Sequence, residues 1–394
     1  SSHASSSINR PPSPILPRFL VQSAWMAELS RILLLLLAGI YATFDRPGVA
    51  AEDVPRGHLQ PFGSWTEGEP IEERADVPEP REFYDKYCNS DRGRGRPVVF
   101  RGAAAKMPAT TSWNTDDLLL ERYGEEAVSG VEYNLKETRA GGNVPGMRTL
   151  RQFLSAYNTS DIYMVSKVPA GMKADVDFLP CMRCGGYLNY LDTHTLWLGR
   201  GGSKSVVHYD DQDNINCMIA GKKRFIFIHP SYKEQIEVYP NSDRNRFGWV
   251  DADLDKSVPG YGGFVGKIDV DRVDLIKFPG WKDVTWSFVD LEAGDCVYIP
   301  FQWYHQVTAS PGRSINVHYW YFRPKRFDSS SCETNAPAVA PTLADCSWGY
   351  EPRQGHFGEA HPKGKPLTSC AARGEGRPPP RGRRRRRKQA HSDL

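Results

Sequence analysis

Three side chains in this sequence have the types and spacing of a metal site. His208 and Asp210 lie two positions apart in the apolar segment 206–210, so on a strand their side chains would point to one face. His305 is the best third ligand, because it follows a strand-like run, a proline and an aromatic cluster in segment 298–307. Two histidines and a carboxylate leave three positions open on the metal, as in non-haem Fe(II) sites. A lone His-x-Asp pair is usually an ordinary surface pair, so this interpretation needs further support.

A buried cation is predicted beside this candidate metal site. Lys223 lies 15 residues after His208, and a lysine inside a β-sandwich needs an anion as its partner. Further polar side chains suited to binding a carboxylate are those of Ser205, Asn214 and Tyr190. The sequence therefore predicts a pocket that binds a metal ion and a small carboxylate side by side.

Short strands and frequent turns predict a mainly β fold. Runs of β-branched and aromatic residues mark strands at 96–100, 195–198, 214–219, 224–228, 296–299 and 314–321. Glycine and proline bound these runs, which is typical of sandwiches and barrels rather than of doubly wound α/β sheets. Gly294, Asp295 and Pro300 are predicted to bracket the strand that delivers His305. Helices are predicted at 83–88, 113–123 and 150–157.

In these segments the sequence resembles the cupin-like subgroup of the Jumonji C family, the Fe(II)- and 2-oxoglutarate-dependent oxygenases. Within that subgroup it looks most like the asparaginyl hydroxylase that inhibits hypoxia-inducible factor and its small hydroxylase relatives. The resemblance rests on segment 208–230 (HYDDQDNINCMIAGKKRFIFIHP) and segment 294–321, and a weaker match extends back to about Phe83. It implies a double-stranded β-helix, also called a jelly roll or cupin fold, with flanking helices. Beyond Phe327 the sequence is rich in Ser, Pro, Gly and Arg and has no hydrophobic period, which predicts a disordered C-terminal tail.

The resemblance also implies a role for each matching residue. His208, Asp210 and His305 would bind Fe(II), and Lys223 would pair with the distal carboxylate of 2-oxoglutarate. In the implied reaction O2 and 2-oxoglutarate are consumed, succinate and CO2 are released, and a C–H bond of a protein substrate is hydroxylated.

Three pocket positions complete this comparison. Ser205 would take the place of a threonine that supports the distal carboxylate, and Asn214 matches a pocket asparagine. His318 departs from the pattern, since the asparaginyl hydroxylase has Asn in its last core strand. This difference could alter co-substrate packing or substrate choice.

The two ends of the chain resemble targeting signals. A polar start, the apolar run 32–44 and the small residues at 49–51 are typical of a secretory signal peptide. The last four residues, 391–394 (HSDL), resemble the retrieval signals of the endoplasmic reticulum. The expected location is therefore the lumen of the endoplasmic reticulum, with no membrane span left after signal cleavage.

These observations divide the chain into five predicted segments. They are an upstream segment (1–25), the signal peptide (26–51), an extended leading segment (52–80), the oxygenase domain (81–327) and a low-complexity basic tail (328–394).

Composition limits the partners that are expected. The 40% hydrophobic and 11% aromatic content excludes a wholly disordered chain. The net charge is +3, but the stretch 377–388 contains eight basic residues and no acidic ones. The other 42 basic residues are outnumbered by 47 acidic ones, so a basic nucleic-acid-binding face on the folded domain is not expected. A protein substrate is the expected partner, and the sequence leaves a homodimer open.

Eight cysteines permit disulfides in an oxidising compartment. Cys217 and Cys296 lie in apolar runs and are predicted to be buried thiols. The pair Cys181 and Cys184 predicts either a local disulfide or two free thiols.

Two other functions remain open at this point. One is a nuclear N-methyl-lysine or N-methyl-arginine demethylase, for which the basic run 381–388 would be the import signal. The other is a non-catalytic jelly-roll scaffold that binds a partner through its tail.

Overall fold

The chain divides into two units, Ser1–Val54 and Pro55–Leu394, and the fold is that of the second unit. The computed structural model describes residues 54–133, 144–205, 207–210, 212–236, 268, 270–334 and 341–347, with the pairs 350–351, 365–366 and 369–370. The predicted signal peptide, the basic run 381–388 and the retrieval-like residues 391–394 lie outside the described residues. No helix of the described ranges is long and apolar enough to cross a bilayer.

Twelve strands of the described residues form two sheets. They are β1 Glu69–Pro70, β2 Glu72–Arg74, β3 Val98–Phe100, β4 Val131–Tyr133, β5 Ile162–Lys167, β6 Leu191–Gly199, β7 Asp213–Ala220, β8 Lys222–Ile228, β9 Ser287–Glu292, β10 Cys296–Ile299, β11 Tyr304–Ala309 and β12 Ser314–Tyr321. The larger sheet has the order β2-β3-β10-β7-β12-β6-β5-β4, and the smaller has the order β1-β9-β8-β11. The pairs β1–β9 and β2–β3 are parallel.

The two sheets pack face to face through a shared apolar layer. Phe225, Phe227 and Leu291 of the smaller sheet contact the same cluster as Met218 and Val297 of the larger one. Alternation along β8 turns residues 223, 225 and 227 inward, while 222 and 224 face solvent. This arrangement confirms the predicted mainly β, jelly-roll core.

Most helices cover the larger sheet and share one apolar cluster with it, whereas Ile236 and Trp281 pack in a second cluster. The α-helices are Pro80–Phe83 (continued by a π-helical turn, Tyr84–Cys88), Ala109–Ser112, Asp116–Tyr123, Leu150–Ala156, Lys233–Ile236 and Ser330–Thr334, and Ser90–Gly93 is a turn with left-handed backbone at Asp91 and Arg92. Short 3-10 turns occur at Ala170–Asp175, Pro180–Met182, Tyr187–Tyr190, Pro230–Tyr232, Pro279–Asp283 and Leu343–Asp345. Thr115 and Thr149 cap the helices that follow them, as their side chains accept from Leu118 N and Gln152 N.

The segments on either side of the domain contribute to the fold. The leading segment contains β1, which pairs with β9 in the smaller sheet, and β2, which pairs with β3 in the larger sheet. Part of the predicted tail also packs, because Leu343 is fully buried in the main apolar cluster. Short ladders pair Cys346–Ser347 with Ser369–Cys370, and Tyr350–Glu351 with Lys365–Pro366. The prediction of a disordered tail is therefore wrong for the described residues 328–334 and 341–347, where single anchoring side chains leave no apolar period in the sequence.

Both cysteine predictions are wrong. Cys217 and Cys296 form a disulfide between β7 and β10, because the strand register places them directly opposite each other. Cys184 pairs with Cys332, 148 residues further along the chain, and Cys181 is a buried free thiol. The position of a cysteine in the sequence does not show its disulfide partner. Strand pairing brings Cys217 to Cys296, and the return of the chain after β12 brings Cys332 to Cys184.

Candidate metal centre and co-substrate pocket

His208, Asp210 and His305 come together at one end of the jelly roll. Their ligand atoms all lie within 4.8 Å of one another. The three residues are only 7%, 7% and 3% exposed. Two imidazoles and one carboxylate, crowded on one side of a buried point, form a donor set that fits Fe(II) with open coordination positions. These three residues would hold the metal.

The backbone that carries the three ligands differs from the predicted strand. His208 forms an isolated two-way pair with His305, in which each backbone N–H donates to the other carbonyl over 3.0 and 2.7 Å. Asp210 continues this pairing, because its carbonyl accepts from Gln302 N over 3.0 Å. As predicted, Gly294, Asp295 and Pro300 bracket the strand that leads to His305. That strand is β10, and His305 itself lies near the start of β11.

A hydrogen bond fixes the imidazole of His305. Its Nδ1–H donates to the carbonyl of Trp303 over 3.0 Å. The other nitrogen, Nε2, faces Asp210, with 3.4 Å between Nε2 and Oδ2. The ring centroids of His208 and His305 are 4.2 Å apart. A second hydrogen bond of this kind commonly orients a metal-binding histidine and leaves Nε2 for the metal.

A buried ion pair organises the turn before His305. The guanidinium of Arg323 donates two hydrogen bonds to the carboxylate of Asp213, over 2.8 and 2.7 Å, and both side chains are almost fully buried. Asp213 also accepts from Phe301 N and from the hydroxyl of Tyr298. The start of β7, the end of β10 and the turn that leads to His305 are thus joined at one carboxylate.

Lys223 forms the far end of the pocket. It is 4% exposed and donates to the hydroxyl of Tyr163 over 3.2 Å. Its ammonium lies 5.3 Å from the centroid of the Trp197 ring. Burial lowers the pKa of Lys223 to about 7, because the charged form loses its hydration. Within the described part of the chain Lys223 forms no ion pair, so this buried cation could accept a carboxylate ligand as its partner.

Comparison with known proteins identifies the family. The family described as a cupin-like domain matches residues 80–327. The chain belongs to this family and, through it, to the Jumonji C oxygenases. Members of this Jumonji C family use Fe(II) and 2-oxoglutarate, and the donor set of this domain fits both.

Several curated proteins are similar to this Jumonji C domain. It is 26% identical over 250 residues to the lysine-specific demethylase JMJ30 of Arabidopsis thaliana, covering 60% of this chain and 52% of that protein. It is 28% identical over 137 residues to the human bifunctional peptidase and (3S)-lysyl hydroxylase JMJD7, covering 33% and 42%. It is 30% identical over 304 residues to the Jumonji C domain-containing protein 5 of Drosophila melanogaster, covering 70% and 66%. The chain thus matches between about two fifths and two thirds of the length of these relatives.

Asn214 and His318 lie together on the inner face of the larger sheet. Nδ1 of His318 is 2.8 Å from the amide nitrogen of Asn214, and its Nε2 is 2.7 Å from that of Asn316. Burial, and then the charge of Lys223, hold the pKa of His318 well below its ordinary value. The neutral ring stacks on Trp320, with centroids 5.7 Å apart. His318 therefore belongs to a polar row in the sheet between two amides.

Ser205 and Tyr190 have other contacts than those expected near the carboxylate. The hydroxyl of Ser205 accepts from Val307 N over 2.9 Å, so it supports the backbone of β11. Tyr190 precedes β6, where its carbonyl accepts from Phe322 N. The hydroxyl that contacts Lys223 is that of Tyr163, which the sequence analysis missed. The β-branched and aromatic residues of segment 162–167 (IYMVSK) could have indicated a strand there. They do not show which strand lies across from Lys223.

Removing a metal ligand should abolish iron binding while the fold remains. We expect His208→Ala and Asp210→Ala to lose iron retention and turnover, because core burial does not depend on these side chains. Metal analysis and circular dichroism measure the two properties. His58→Ala is the matched control, since His58 contacts Asp274 outside the triad. Normal iron content in both ligand variants would contradict the assignment.

Binding of 2-oxoglutarate should weaken as pH rises above 7. The empty pocket holds Lys223 with a pKa of about 7, and a bound carboxylate favours its charged form. Binding at higher pH must therefore take up a proton, so the affinity should fall by up to about tenfold per pH unit. Calorimetry of the anaerobic iron-loaded protein from pH 6 to 9 measures this slope.

Two variants separate Lys223 from its neighbour. Lys223→Ala should bind 2-oxoglutarate weakly at every pH and lose the slope, with little change in iron affinity. Lys222→Ala should behave as the parent protein, because Lys222 is exposed and paired with Glu292. A Lys223→Ala protein with unchanged affinity and slope would show that another cation binds the co-substrate.

Proposed function

We propose that this protein is an Fe(II)- and 2-oxoglutarate-dependent dioxygenase that hydroxylates a protein side chain in the secretory pathway. The observation that carries the proposal is that a metal-ligand triad and a buried lysine lie at the two ends of the paired strands β8 and β11. His208, Asp210 and His305 lie at one end, and the buried cation Lys223 lies at the other. 2-Oxoglutarate has a carboxylate at each end, so the triad with its metal could hold one end and Lys223 could neutralise the other.

Each group of residues has its own role in the proposed reaction. The triad would hold Fe(II), which together with 2-oxoglutarate and O2 supplies the oxidation of a C–H bond. Lys223 and Tyr163 would orient the co-substrate, since a charge-assisted hydrogen bond contributes about 1.5–3 kcal/mol when buried. Trp197 shields this contact from water. The protein thus supplies binding, orientation and a dry site.

The nature of the substrate is supported by the names of the relatives. One is a lysyl hydroxylase and another is a lysine-specific demethylase, so both are named for action on protein side chains. A jelly roll with the metal at one end suits a polypeptide that presents one side chain to the metal.

The compartment is supported by the cysteines. Five described cysteines are disulfide-bonded: 184, 217, 296, 332 and 346. Structural disulfides persist in oxidising compartments and are rare in the cytosol and nucleus. Together with the signal-peptide pattern and the retrieval-like residues 391–394, they favour the lumen of the endoplasmic reticulum.

A demethylase is the second candidate, favoured by the printed names of several relatives. It would use the same pocket on an N-methyl group, and the basic run 381–388 would direct it to the nucleus. The disulfides argue against this location.

The reaction products distinguish a hydroxylase from a demethylase and from a non-catalytic scaffold. The iron-loaded protein should convert 2-oxoglutarate to succinate and CO2. In normal cells, substrate proteins of the lumen should carry one added oxygen atom at defined residues. In cells that lack this protein, mass spectrometry should find the same residues without that oxygen. Asp210→Ala, expressed in the same cells, is the inactive control. Formaldehyde release with loss of methyl groups would favour the demethylase, and absence of any 2-oxoglutarate turnover would favour the scaffold.

Deleting residues 391–394 tests the compartment. Tagged full-length protein should stay in the endoplasmic reticulum, and the truncated protein should appear in the medium with its activity intact, because a retrieval signal is read by a receptor. Replacing the four residues with alanines controls for chain length. Full-length protein in the nucleus with an uncleaved N-terminal run would overturn the location and favour the demethylase.

A further inference from the structure

The pocket has one end through which a substrate can approach. β11 pairs with β8 so that His305 lies opposite Phe227 and Ala309 lies opposite Lys223. Four residues along a strand separate these positions by about 13 Å. Tyr163 and Trp197 pack over the ammonium of Lys223 and cover that end. A polypeptide must therefore reach the metal from the other end, where β8 and β10 finish and β11 begins.

A loop at residues 91–95 is clamped to this open end, and we call it the rim loop. The carbonyl of Gly93 accepts from Arg323, and that of Gly95 accepts from the indole of Trp303. Trp303 is the residue whose own carbonyl orients His305. The rim loop is thus connected to a metal ligand through a single residue.

Close approach explains the glycine at position 95. A Cβ on Gly95 would lie 2.9 Å from Cβ of Pro300 and 3.0 Å from the guanidinium of Arg323. Asp91 adds a third contact, with 2.7 Å between its carboxylate and Nε2 of His229, whose ring packs against Trp303. The loop therefore has a defined position at the entrance.

The backbone of the rim loop is strained. Asp91 and Arg92 have φ values of 47° and 56°, and Gly93 follows at 84°. Left-handed conformations are costly for residues other than glycine, and they persist where the surroundings enforce them, often at binding sites. Here two turn hydrogen bonds enforce them, from Arg94 N to Asp91 and from Gly95 N to Ser90.

The strained backbone presents two unpaired cations. Arg92 and Arg94 are exposed, and neither forms an ion pair with any residue that the structure describes. Their neighbour Arg96, in contrast, pairs with Glu72. The carboxylate of Asp91 is engaged by His229 and lies in the same loop. The entrance to the metal thus carries two exposed guanidinium groups on a backbone whose position is set in advance.

We propose that Arg92 and Arg94 bind acidic side chains of the protein substrate that flank the residue to be oxidised. The inference rests on the proposed function and adds the substrate class, an acidic polypeptide segment. Guanidinium groups suit carboxylates because they can donate two parallel hydrogen bonds. Because the backbone of the rim loop is already held in place, binding needs to order only the two side chains.

Peptide binding tests the proposal directly. Fluorescent peptides with one central sequence and flanks of Glu, Gln or Lys are titrated into the anaerobic iron-loaded protein with 2-oxoglutarate. We expect the Glu-flanked peptide to bind about fivefold more tightly than the Gln-flanked one, the contribution of two exposed ion pairs. The preference should decrease with added salt.

Paired variants locate the effect. Arg92→Gln with Arg94→Gln should remove the preference for Glu flanks. Arg122→Gln with Arg148→Gln makes the same change in charge at two exposed arginines near other helices and should keep it. Equal affinity for all flanks in the parent protein, or a preference that survives in the rim variant, would overturn the inference. Turnover of 2-oxoglutarate by the parent protein, measured separately, shows whether the proposed function itself holds.

Discussion

The buried ion pair between Asp213 and Arg323 is the interaction on which the site depends. One carboxylate accepts from the guanidinium, from Tyr298 and from the backbone of Phe301. Removing one partner of such a pair leaves an uncompensated buried charge, which costs about 3–5 kcal/mol. Because Asp213 begins β7 just after Asp210, and Phe301 begins the turn to His305, this pair sets the distance between the two halves of the triad. The rim loop depends on it as well, since Arg323 also donates to Gly93.

The second buried cation, Lys223, lacks the carboxylate partner that Arg323 has among the described residues. Among the described residues Arg323 pairs with the carboxylate of Asp213, whereas Lys223 contacts a hydroxyl and two aromatic faces. Burial without a counter-charge lowers its pKa to about 7. In the proposed function, an anionic ligand would relieve this cost, and part of the affinity for 2-oxoglutarate would come from that relief. The two buried cations therefore differ, since Arg323 is paired within the fold and Lys223 is the proposed partner of a bound anion.

The β-rich fold and much of the pocket could be predicted from the sequence. Thr195, Asn214 and Cys296 lie in strands close to the predicted ones, because alternating or apolar runs bounded by glycine and proline reflect local geometry. Tyr163 could not be placed beside Lys223, since β5 and β8 belong to different sheets and no local pattern records which strand faces which. The same limit hid the partners of Cys184 and Cys217.

The sequence by itself determined the chemistry of this protein: the types of its candidate ligands, their order along the chain, and the inward direction of Lys223 after the turn at Gly221. These features are local, since they depend on side-chain type and on the two-residue period of a strand. The tertiary structure decided what lies opposite each of them. His208 meets His305, which lies 97 residues further along the chain, and Gly95 lies against Pro300, which is 205 residues away in the sequence. Contacts between distant segments depend on register and packing, which no short pattern contains.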